Sequence, residues 1–111
     1  MAAPEYVIAF ITAGSEEEAL KIAQALVGER LTACCNILRP VTSVYRWEGK
    51  VNTDTETLIV LKTRKSLMKA LIRRVNEIHS YEVPEIISVP ITAGNPSYMK
   101  WLFESTKKTE G

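Results

Sequence analysis

Residues Tyr6 to Thr12 read YVIAFIT, an unbroken run of apolar, β-branched and aromatic side chains. A strand with one face in water would alternate polar and apolar residues. This run does not, so it predicts a central strand covered on both faces. Two later strand-like stretches carry the opposite constraint. Thr32 to Trp47 contains Pro40, and Glu85 to Ile91 contains Pro90. Proline cannot donate to a ladder, so the second stretch belongs at a sheet edge and the first is an edge or bulged strand. Between them, Glu48-Gly49-Lys50 predicts a hairpin turn, with Gly49 supplying the positive φ. The returning strand spans Val51 to Thr63. Thr53, Thr55 and Thr57 alternate through its first half, and Leu58 to Leu61 (LIVL) reads as buried. The tip of this extended hairpin is too long and polar to lie wholly on a compact core.

Gly14-Ser15 ends the first strand. Ser15 and Glu18 have capping-box spacing, and Glu16 and Glu17 favour the positive end of a helix. Ala19, Leu20, Ala23, Leu26 and Val27 follow at helical spacing and predict a helix from about Ser15 to Gly28. Ser66 is placed to cap a second helix, with Leu67, Leu71, Val75 and Ile78 on one face. Lys69, Arg73, Arg74 and Glu77 cover its solvated side. After a turn at Gly94-Asn95-Pro96, a short helix starts at Pro96 or Ser97 and carries Tyr98, Trp101 and Leu102. The polar tail from Ser105 to Gly111 reads as frayed. The order is βαββαβ plus a terminal helix. It specifies an α+β, ferredoxin-like antiparallel sandwich, with two helices on one face of a four-stranded sheet and an apolar opposite face. The 111 residues suit one domain spanning 1–111.

Net charge is +1 with acids and bases interleaved, which argues against nucleic-acid and membrane partners. The longest apolar run, Tyr6 to Ala13, is too short to span a bilayer and follows Glu5 rather than Lys or Arg. The expected location is the cytoplasm. Cys34 and Cys35 are adjacent, so a disulfide between them would be strained; they read as reduced thiols.

The chain has no Gly-rich phosphate loop, no G-x-S-x-G elbow and no structural zinc spacing. Catalysis would have to rest on His79, Cys34 or Cys35, Tyr81 and Glu82, and a non-enzymatic role is expected. An acylphosphatase-like hydrolase on the same fold is the alternative; it would need an anion cradle with a nearby Arg and Asn. An RNA-recognition motif shares the topology, but its central strand should show basic and stacking aromatic residues, whereas Glu56 to Thr63 is aliphatic.

Tyr45 and Trp47 are two apart on a strand near the hairpin tip and share one face. Two readings stand: cross-strand packing, or the wall of an interface or cleft. Glu56, Lys62, Tyr81 and Glu82 are placed to supply polar groups to such a cleft. Trp101 reads as an anchor onto the sheet or a neighbour. Candidate metal ligands are His79, Cys34 or Cys35, and Glu82, a set suited to copper or another divalent cation. The two cysteines face opposite ways, so only one can join His79 within a protomer, and a complete site would form between subunits.

Five segments together resemble the CutA family of divalent-cation tolerance proteins: Glu29–Ile37 (ERLTACCNI), Ser43–Val51 (SVYRWEGKV), Glu56–Thr63 (ETLIVLKT), His79–Ile86 (HSYEVPEI) and Tyr98–Leu102 (YMKWL). The resemblance covers nearly the whole chain. It implies a ferredoxin-like protomer, a tight homotrimer, a loose kinship with PII-type nitrogen sensors, and a role in copper or divalent-cation tolerance. A closed ring would also cover the two proline-bearing edges. Members with a proposed copper site carry Cys where this chain has Ile11 and His where it has Ile78, and Ser80 replaces the usual proline. The resemblance therefore implies a homotrimeric binding or signalling protein with a site between subunits and weaker metal binding.

Overall fold

The structure, a computed structural model, describes residues 4–107. Its elements are β1 (Tyr6–Ala13), α1 (Glu16–Gly28), β2 (Cys34–Trp47), β3 (Lys50–Arg64), α2 (Met68–Ile78), β4 (Ile86–Pro90) and α3 (Pro96–Ser105). The strands form one antiparallel sheet in the order β2-β3-β1-β4. The α+β ferredoxin-like arrangement is the one expected. The apolar strands β1 and β3 are central, and the strands holding Pro40 and Pro90 are the edges. The β2–β3 ladder slips register between Leu38 and Val41, beside the cis Arg39–Pro40 peptide bond.

Strand alternation sorts the sheet into two unlike faces. Val7, Ala9, Ile11, Ala13, Ile59 and Leu61 point toward α1 and α2, and close a core with Ile22, Leu26, Leu71 and Val75. Ile8, Phe10, Leu58 and Val60 point the other way and stay partly exposed, with Ile87 and Val89 beside them more open still. In a single chain, β1 is therefore covered on one face, and the two-sided burial its composition predicts is met only halfway. The face opposite the helices is apolar, as expected.

Several local expectations change. Ile22, not Leu20 or Val27, completes the buried stripe of α1, because 19, 22, 23 and 26 follow the helical repeat while 20 and 27 fall outside it. Ser15 caps α1, its Oγ accepting from Glu18 N–H at 3.1 Å. The Glu18 carboxylate does not close the box; it turns to Ser80. Ser66 is not the cap of α2. Lys65–Leu67 form a 3-10 turn, and Leu67 occupies the cap position with no side-chain bond. Burial of Leu67 and Met68, rather than a hydroxyl, fixes that entry. At the hairpin tip both Glu48 (φ 49°) and Gly49 (φ 77°) are left-handed. Trp47 pairs with Lys50, so the loop has the two-residue form whose twist matches its strands.

The hairpin carries the molecule to 47 Å along its long axis against 26 and 25 Å across. At the other end α3 is held by Leu102, which is fully buried, while Trp101 is 44% exposed and packs against Tyr98. The buried Arg64 donates to Thr106 Oγ1 at 2.8 Å and lies 4.8 Å from the Phe103 ring centre. Lys107 N–H donates to Arg30 O at 2.9 Å. Fraying from Ser105 is thus not observed through Lys107; the rest of that expectation, residues 108–111, lies outside the described residues.

Candidate ligand cleft

The register Val41↔Glu56, Ser43↔Asp54 and Tyr45↔Asn52 puts Ser43, Tyr45, Trp47 and Glu56 on one face, the same face as Leu58 and Val60. Over this base folds the segment that follows α2, bringing Tyr81, Glu82, Val83 and Glu85 opposite the hairpin. Together with Thr12 these residues line a cleft of about 550 Å³. Tyr45 and Trp47 are therefore cleft walls.

Glu56 is the buried carboxylate of the site, only 9% exposed. It accepts the Tyr81 Oη–H at 2.7 Å. Burial, that hydrogen bond and the Glu56 charge all push the Tyr81 phenol above its ordinary value of 10. The Tyr45 hydroxyl donates to Asp54, and this bond raises its phenol as well. Gly14 makes room for Tyr81: a Cβ there would lie 3.2 Å from Tyr81 Oη, closer than ordinary contact.

His79 caps the end of α2 and fixes the start of the segment. Its Nδ1 accepts the Tyr81 N–H at 3.0 Å, so its proton sits on Nε2, which donates to Thr12 O at 2.8 Å. Glu18 closes the same corner, accepting Ser80 N–H at 2.7 Å and Ser80 Oγ–H at 2.9 Å. Burial pushes the Glu18 carboxyl up, but the two Ser80 bonds, His79 and Gly14 outweigh it and hold it below its ordinary 4.5.

The sequence candidates separate accordingly. Tyr45, Trp47, Glu56, Tyr81 and Glu82 meet in the cleft. Lys62 does not line it: it pairs with Cys34 across the ladder, donates to Asn36, and stands six residues from Glu56, roughly 20 Å along the strand. Trp101 is likewise not among the lining residues. Cys35 packs against the core, where burial pushes its thiol up to about 12. Cys34 lies on the opposite face with its Sγ toward Asn36. The imidazole of His79 is buried with both nitrogens engaged. Among the described residues no three His, Cys, Asp or Glu side chains converge as ligands. The residues present do not fit a copper or other divalent centre within one protomer. Val83 and Glu85 escape sequence reasoning because they enter through the fold of the 79–85 segment, which has no periodicity to read; Ser43 shares the strand spacing of Tyr45 and Trp47, and Thr12 joins from β1.

The chain is similar to known proteins over nearly its whole length. Residues 7–105 match the family model described as CutA1 divalent ion tolerance protein. A Thermus thermophilus relative named divalent-cation tolerance protein CutA is 48% identical over 99 residues, covering 89% of this chain and 96% of its own. The chloroplastic protein CutA of Arabidopsis thaliana is 45% identical over 101 residues, covering 91% of this chain and 56% of its own. The chain thus spans just over half the length of that relative. The crystal structure of CutA1 from Oryza sativa superimposes with a TM-score of 0.92 at 42% identity, covering 95% of this chain and 96% of that one. With its sheet order, its hairpin and nearly its whole length matched, the chain belongs to the CutA1 divalent ion tolerance protein family.

Proposed function

We propose that this protein is a homotrimeric binding or signalling protein of divalent-cation tolerance, without catalytic activity, whose ligand is held in the cleft where subunits meet. One observation carries the reading: the uncovered apolar sheet face of Phe10, Leu58, Val60 and Ile87 runs directly into the cleft at Glu56. A sheet side this apolar calls for a partner. A copy seated on it would end at the cleft mouth, and ring closure would also cover the edges of β2 and β4. The cleft is lined by carboxylates and aromatic rings, the opposite of the anion cradle that an acylphosphatase-like hydrolase requires. The cytoplasm is the proposed location, supported by the free thiols of Cys34 and Cys35. Among the described residues no helix is long and apolar enough to cross a membrane. Light scattering at micromolar concentration tests the assembly: a trimer mass is expected, and a monomer mass refutes the reading.

A further inference from the structure

The lining of the cleft specifies the charge of what it binds, an inference that rests on the cleft being a binding site. Glu56, Glu82 and Glu85 line it, and no Lys, Arg or His is among the lining residues. Glu56 is nine-tenths buried, yet its one hydrogen-bond donor among the described residues is the neutral Tyr81 hydroxyl, on Oε2. A carboxylate offers about four acceptor positions, and a buried charge is costly until a cation faces it. Among the described residues no side-chain polar atom sealed from solvent lacks a partner. The unbonded Oε1 is therefore not sealed from solvent, and Glu56 lines the cleft.

A bare metal ion does not suit this arrangement. Magnesium and calcium draw about six or more oxygens into one shell, whereas no three ligands converge here. The volume of about 550 Å³ is the scale of a small molecule. Tyr45, Trp47 and Tyr81 add aromatic rings to the carboxylates, the combination that recognises ammonium groups through ring quadrupole and charge together. We infer that the cleft receives a small organic cation, with its ammonium group at the Glu56 carboxylate and the Tyr81 ring, and with Tyr45 the next ring along the hairpin. An anion would meet like charge on the lining and is excluded.

The test uses the full chain carrying Trp101→Phe, which leaves Trp47 as its only tryptophan. Tetramethylammonium chloride, sodium acetate and copper chloride are titrated separately at low ionic strength, following Trp47 emission and heat, with light scattering on the same samples. Tetramethylammonium is expected to change the emission saturably below about 10 mM. Added salt should weaken the binding, and acetate should leave the emission unchanged. Glu56→Gln should weaken binding at least about tenfold, as should Tyr45→Leu. Acetate binding as tightly as tetramethylammonium, saturation by copper alone, or full affinity in both variants overturns the organic-cation assignment; in a trimer, the first two leave the binding site standing. A monomer mass, or emission and heat both indifferent to every probe, overturns the underlying reading and this inference with it.

Discussion

The Tyr81 hydroxyl donates to Glu56 Oε2 at 2.7 Å, tying the segment after α2 to the middle of β3 across 25 residues of chain. Through the Tyr81 N–H the same residue holds His79, so one side chain and its own backbone brace both sides of the cleft. Tyr81→Phe keeps the ring and removes the donor, leaving a buried carboxylate without its hydrogen bond. The expected loss is about 1–3 kcal/mol in urea unfolding. The phenol is raised above 10 in the folded protein, so its contribution is complete below pH 10 and is lost as pH rises beyond it. The gap between wild type and variant should narrow there. A gap that widens with alkali would contradict this geometry.

Val60 lies at the centre of the uncovered sheet face, between Phe10 on β1 and Asn36 on β2. It points away from the helices, so Val60→Lys leaves the protomer's own core intact. In a trimer it buries an unpaired ammonium, which association cannot tolerate. Light scattering should show the mass falling to a monomer while circular dichroism keeps the α+β signature. A variant that retains the wild-type mass places the interface elsewhere.

The extent to which this molecule is legible in its sequence follows the range of the forces involved. Pro40 and Pro90 mark the edge strands because a missing N–H is a local fact wherever the chain goes. The central place of β1 is legible because its run is apolar throughout, but which of its faces meets the helices is not, because that run does not alternate. Ser66 misleads because its hydroxyl competes with the burial of Leu67 and Met68, and burial wins by more than a cap is worth. Within the protomer, the helical phase gives the buried place on α3 to Leu102 and leaves Trp101 exposed. Within the cleft, Tyr45 and Trp47 are readable from strand spacing. Lys62 is misplaced because strand alternation reports the face of a residue and not its distance along the strand. The pairing of Glu56 with Tyr81 is a tertiary fact that no pattern of spacing encodes.

Glu18 offers a test of the corner beneath the cleft. Its carboxyl is held below 4.5 in the folded protein, so its stabilising contribution is present above that ordinary value and is lost as pH falls through the lower folded one. Glu18→Gln should cost about 1 kcal/mol at pH 7. The difference should shrink as pH falls below 4.5 in thermal unfolding at fixed protein concentration. A difference that is constant from pH 7 to pH 3 would mean that ionisation of Glu18 plays no part in holding Ser80.

His79 decides whether metal chemistry resides within the protomer. Its ring is buried, Nδ1 is occupied by the Tyr81 N–H, and Nε2–H is spent on the Thr12 carbonyl. A metal could take either nitrogen only by breaking one of these bonds and opening the corner. Exposed groups elsewhere will still hold some copper(II), which binds most nitrogen and sulfur donors strongly. Calorimetric copper titrations of wild type and His79→Ala should therefore give the same affinity. The substitution should nevertheless destabilise the fold by about 2–4 kcal/mol, because it orphans a buried donor and a buried acceptor. His79→Asn, which retains a donor and an acceptor, serves where the alanine variant does not fold. A tenfold loss of copper affinity in a folded variant would show that the ring leaves both partners to bind metal, and the hydrogen-bonded corner would then be the metal-free state of a switch.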